Sequence, residues 1–123
     1  MLSHIGQIAV VVHDIERATA FYRDTLGMKF LFAAPPNLAF FDAGGTRLML
    51  GPAESPEFDH PGSVLYFDVA DVHEAHRTLG ARGVEFIDEP HFVAPMANGD
   101  LWMTFFKDPD GNLMAIMGEH PRA

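Results

Sequence analysis

The chain states one pattern twice. Residues 10–27 read VVVHDIERATAFYRDTLG and residues 67–80 read FDVADVHEAHRTLG: each is an apolar, strand-like run, an aspartate, an amphipathic stretch and Leu-Gly. Further along each copy, AGGTRLMLG at 43–51 is echoed by PDGNLMAIMG at 109–118, a glycine turn followed by a strand. A repeat of one strand–helix–strands unit predicts two matching half-structures.

In the first copy, Ile5–Val12 is rich in β-branched residues and too short for a buried helix, so it reads as a strand. Asp14 is a good N-cap, and Ile15, Ala18, Tyr22 and Leu26 make the apolar stripe of a three-turn helix. Gly27 stands where a left-handed C-terminal residue is wanted. Lys29–Ala33, Leu38–Phe41 and Thr46–Leu50, separated by Pro35-Pro36 and Gly44-Gly45, read as three strands. The order is β-α-β-β-β.

The second copy repeats it. Val64–Val69 is a strand, Asp71 caps a helix with Glu74 in the capping-box position, and Val72, Ala75 and Leu79 form the stripe, ended by Gly80 or Gly83. Val84–Ile87, Leu101–Phe106 and Leu113–Met117 supply the remaining strands, and Asp108-Pro109-Asp110-Gly111 has the chemistry of a turn. Residues 52–62, rich in proline and acidic side chains, read as a linker between units at about 1–51 and 63–119 of a single domain. The copies differ in one stretch: the second is about ten residues longer around Asp88–Asp100, which reads as a long loop carrying His91 and suited to a lid.

Composition bounds the function. The 123 residues suffice for a real core, and 48% hydrophobic residues exclude a disordered chain. A net charge of −9 argues against nucleic acid and against an anionic membrane surface. No apolar run approaches a membrane span and no leader is evident, so a cytoplasmic location is expected. The absence of cysteine excludes disulfides, thiolate metal sites and a cysteine nucleophile.

The doubled β-α-β-β-β order, FYRDTLG after the first strand and FFKDPDGN before the last together resemble the vicinal oxygen chelate superfamily, the glyoxalase, bleomycin-resistance and extradiol dioxygenase group, over almost the whole chain. The resemblance implies an α+β, glyoxalase-like fold: two βαβββ units forming curved mixed sheets around a cavity, commonly completed by a homodimer. It leaves the chemistry open, because one fold hosts isomerases, lyases, dioxygenases, transferases and binding proteins.

Enzymes of that group hold a divalent metal with one side chain from the first and one from the last strand of each half. Those positions fall here on Gln7, Met49, Val64 and Ala115, and only Gln7 can donate an oxygen. One amide beside a thioether and two alkyl groups offers neither charge nor coordination number, so no metal is expected at this quartet and no cofactor is predicted. Of the seven histidines, His73 and His76 are spaced for a helix face but read as solvated, His4, His13, His60 and His120 read as surface, and His91 is retained for its place in the long loop.

Strand alternation then fixes which residues share Gln7's side. Ala9 and Val11 do, leaving Ile8, Val10 and Val12 against the helix. In the same phase Arg47 and Met49, then Val64, Tyr66 and Asp68, then Ala115 and Met117 face the cavity. A buried Arg47 would need an anionic partner, Asp68 or a ligand. Trp102, at the start of the strand after the loop, is placed with the lining. The expected site is Gln7, Arg47, Met49, Val64, Tyr66, Asp68, His91, Trp102, Ala115 and Met117, an apolar wall with few polar groups. That composition suits a small, largely apolar organic molecule bound without metal. Two other readings stand beside it: an enzyme of the same fold, either an isomerase, lyase or transferase using Arg47, Tyr66 or His91 as acid/base groups or an isomerase, lyase or dioxygenase with a divalent metal at an unrecognised site, and a regulatory or partner-binding module with a vestigial cavity. No catalytic residue is assigned.

Overall fold

Each helix starts at an aspartate whose carboxylate replaces a missing backbone acceptor. Asp14 Oδ1 accepts from the Arg17 N–H at 3.0 Å and Asp71 Oδ1 from the Glu74 N–H at 3.0 Å, both aspartates having extended backbone. A computed structural model describes residues 1–122 and divides them into two compact units, Met1–Gly62 and the residues from Ser63 onward.

The first unit contains β1 (Gln7–Val11), α1 (Ile15–Ala20), a π-helical turn (Phe21–Thr25), β2 (Lys29–Ala34), β3 (Leu38–Ala43) and β4 (Thr46–Gly51). The sheet order is β1-β4-β3-β2, with β1 parallel to β4 and the other pairs antiparallel. The expected three-turn helix is thus interrupted: the Leu26 N–H reaches back five residues to the Phe21 carbonyl at 2.8 Å. Gly27 follows with φ 75°, the left-handed residue anticipated at the helix end. Ala18 and Tyr22 are fully buried, with Tyr22 6.0 Å from Phe41 and Phe41 5.5 Å from Phe30. Val10, Val12, Leu48 and Leu50 complete this core on the helix side of the sheet.

The second unit contains β5 (Leu65–Asp68), α2 (Val72–Ala81), β6 (His91–Met96), β7 (Gly99–Lys107) and β8 (Leu113–His120), in the order β5-β8-β7-β6 with β5 parallel to β8. Together the units are two four-stranded mixed sheets with few helices, an α+β architecture built from βαβββ-like repeats. α2 runs through Gly80 and stops at Arg82, and Gly83, at φ 97°, is the residue that turns the chain. The capping box is half made: the Glu74 carboxylate pairs with Arg77.

Two expectations are corrected in this unit. Residues 88–100 are not an open loop: His91–Met96 pairs antiparallel with β7, so the segment is a hairpin. Conversely, the expected strand Val84–Ile87 contributes one bridge, Phe86 to Phe106, and one hydrogen bond, from the Ile87 N–H to the Phe105 carbonyl. β6 carries Pro95 and a bulge between Phe92 and Ala94, features that an edge strand tolerates because its outer N–H groups have no ladder partner. The turn at Asp108–Asn112 is as anticipated. The buried Asp108 Oδ1 accepts from the N–H groups of Asp110 (2.9 Å) and Asn112 (2.8 Å), and Gly111 adopts φ 85°.

Candidate functional site

In the first unit, register places Gln7 beside Arg47, Ala9 beside Met49 and Met49 beside Phe40, all on the face turned away from the helix. Their side chains meet. Arg47 Nε donates to Gln7 Oε1 at 2.7 Å, Gln7 Nε2 lies 3.7 Å from Met49 Sδ, and the guanidinium stands 5.0 Å from the centre of the Phe40 ring. Phe32 stacks on the other side of this group, 4.5 Å from Phe40 with ring planes at 24°. The result is a platform of two phenyl rings and a thioether, carrying one cation held flat by an amide and an aromatic face. Arg47 is exposed, so its charge needs no buried carboxylate: solvent, Gln7 and Phe40 satisfy it. That corrects the expectation of a buried arginine.

In the second unit, Tyr66 lies beside Ala115, Asp68 beside Met117, Ala115 beside Phe105 and Met117 beside Met103. His91 is level with Met103. These residues share the face away from α2. The Tyr66 and Phe105 rings meet edge to face at 5.9 Å, and the His91 ring lies nearly parallel to Phe105 at 6.2 Å. His91 Nδ1 donates to the Glu89 carbonyl at 3.0 Å. Asp88, 3.7 Å from His91 Nδ1, is held by Thr104 Oγ1 at 2.6 Å and the Phe105 N–H at 2.9 Å. Val64 precedes β5 in the same alternating phase as Tyr66 and Asp68.

Trp102 does not join them. Three residues from Phe105 in an unbroken ladder, it points to the α2 side, 4.9 Å from His73. Gln7, Arg47 and Met49 therefore come together in one unit. Tyr66, Asp68, His91, Ala115 and Met117 share a face of the other. Sequence reasoning missed Phe32, Phe40, Met103 and Phe105; the alternation that found Arg47 and Met49 would have found Phe40 and Phe105 once β3 and β7 were phased from their turns. His76, read as solvated, is half-buried against Phe86 at 4.3 Å.

The positions that the family resemblance assigns to metal ligands carry Gln7 and Met49 in the first unit and Val64 and Ala115 in the second, and of these only Gln7 has a donor suited to a hard or borderline cation. The donor set does not fit the group's metal.

With this architecture in view, the chain matches the Glyoxalase/Bleomycin resistance protein/Dioxygenase superfamily over residues 4–116, and it belongs to that superfamily. The protein YetH of Bacillus subtilis (strain 168), itself uncharacterized, is 27% identical over 125 residues, covering 94% of this chain and 98% of its own. Among solved structures, a superfamily member from Sphaerobacter thermophilus DSM 20745 is 29% identical with a TM-score of 0.77, covering 96% of this chain and 98% of that one. TnmS3, an antibiotic binding protein from Streptomyces sp. CB03234, is 28% identical with a TM-score of 0.77, covering 97% of this chain and 98% of that one. No helix among the described residues is long and apolar enough to cross a membrane.

Proposed function

We propose that this protein binds a small, largely apolar organic molecule without using a metal at the superfamily's ligand positions. The observation that carries the reading is the Phe32–Phe40–Arg47–Gln7–Met49 platform: ring faces and a thioether for an apolar body, and one oriented cation for a polar or anionic group. The Tyr66, Phe105, Met103 and Met117 face of the second unit is of the same character. The likeness to an antibiotic binding protein supports a binding role, and the lone donor Gln7 supports metal independence.

The test uses the dye 8-anilinonaphthalene-1-sulfonate, an aromatic body with an anionic group. The folded protein is expected to bind it with rising fluorescence, unchanged by excess chelator, and Arg47→Ala should weaken binding about tenfold, equivalent to about 1.4 kcal/mol. Binding equal in wild type and Arg47→Ala, or abolished by chelator, would overturn the reading.

The reading includes a cytoplasmic homodimer. The edge strands β2 and β6 expose Leu31, Phe32, Phe92, Val93 and Met96, and bare edges of that composition invite pairing. Light scattering at micromolar concentration should give twice the chain mass; the monomer mass would remove this part.

A further inference from the structure

The helix-facing side of the second sheet carries a group of donors that the ligand-binding reading does not use. β8 continues three residues beyond the expected Met117, which brings His120 under the start of α2. Asp71, the N-cap, and His73, in the first turn, lie directly above it. One ligand atom from each of Asp71, His73 and His120 lies within 4.8 Å of the other two. The two imidazoles meet nearly perpendicular, 5.6 Å between centres, and Trp102 lies against the far side of His73 at 4.9 Å.

We propose that Asp71, His73 and His120 bind a late first-row divalent cation, with Zn²⁺ the best match to two imidazoles and a carboxylate. Donors about 2.0–2.1 Å from a tetrahedral zinc stand roughly 3.4 Å from one another, so side-chain rotation closes the group around an ion. Water completes the coordination, because Asp71 and His73 are exposed and His120 is half-buried.

The donor geometry favours it. The Val72 N–H donates to His120 Nε2 at 3.2 Å, so the Nε2 lone pair faces the first turn of α2. A cation claims that lone pair at the expense of one long hydrogen bond. The Asp71 side chain is fixed beside the two rings by the Glu74 N–H, from which its Oδ1 accepts at 3.0 Å. Opposing these is the positive end of α2, which the Asp71 charge and the net charge of −9 offset. This group lies on the opposite face of the sheet from Tyr66 and Ala115, and so is separate from the superfamily's ligand positions.

Titration calorimetry of the tag-free chain with ZnCl₂ tests the site. One Zn²⁺ per chain is expected. His73→Ala and His120→Ala should each weaken binding at least tenfold, while Asp71→Asn, which retains the helix cap, should weaken it less. His76→Ala, one turn along the same helix, should leave binding unchanged. Because Trp102 is the only tryptophan and adjoins His73, Cu²⁺ should quench its fluorescence and saturate at one ion per chain, and His73→Ala should abolish that quenching. Absence of Zn²⁺ binding below millimolar concentration, or binding that survives in the His73→Ala, His120→Ala double variant, would overturn the proposal.

Discussion

Phe106→Ala is expected to lower the unfolding free energy by about 3–5 kcal/mol, the usual cost of deleting a fully buried phenyl ring. Phe106 has no solvent exposure. It meets Phe86 at 5.6 Å, is bridged to it through the backbone, and is level with the buried Met114 on β8. Phe86 in turn packs on His76 of α2, so the ring is one of the links between the helix and the sheet of the second unit. Against a total stability of about 5–15 kcal/mol, the change consumes a large share and should move the urea midpoint well below wild type. Phe58→Ala, outside the sheets at 54% exposure, should cost less than about 1 kcal/mol. Unfolding followed by both Trp102 fluorescence and far-ultraviolet circular dichroism reads the difference. Equal midpoints for the two variants would contradict the packing described.

Gly118→Ala is expected to cost about 1–3 kcal/mol, although it adds a single methyl group. A Cβ at Gly118 would stand 2.6 Å from the Val69 carbonyl oxygen and 3.3 Å from Val72 Cγ2. The first of these atoms is backbone, and Val69 is anchored by its own N–H bond to the Met117 carbonyl at 2.8 Å. The start of α2 must therefore lift from β8. Since Asp71 and His73 ride on that start and His120 on the strand below, the same variant should weaken Zn²⁺ binding. Gly80→Ala is the control with the opposite sign. It lies inside α2 with nothing within 4 Å of the new Cβ, and should stabilise by about 0.5–1 kcal/mol. Thermal melts of the three proteins decide the matter: a Gly118→Ala protein as stable as wild type would show that the close approach is not there.

What was legible in the sequence follows from which signals are local. Strand phase is local, so Gln7, Arg47 and Met49 were rightly placed on one side and Val10 and Val12 on the helix side. Caps and turns are local, so Asp14, Asp71, Gly27 and the Asp108–Asn112 turn read correctly. β6 was hidden because Pro90 precedes it and Pro95 lies within it, and proline argues against a strand unless the strand is known to be an edge. That knowledge is tertiary. Trp102 was placed by its proximity to the loop rather than by counting back from Phe105, and the unbroken β7–β8 ladder puts it on the other face. The Asp71, His73 and His120 group depends on how far β8 extends past Met117 and on a contact spanning 48 residues, neither of which a periodicity reveals.

Every ladder of the two sheets closes within its own unit, β1 against β4 in the first and β5 against β8 in the second. For a chain leaving the ribosome this has a timing consequence. Once Gly51 has emerged, each strand of the first sheet has its neighbours, and none of its edges waits on residues still to be synthesised. Both ladders of β4 wait for Thr46–Gly51, and of its two partners Gln7–Val11 emerges first and stands by longer. During that interval Ile8 and Val10, two apolar residues of an unpaired strand, are open to capture by a chaperone or by another chain.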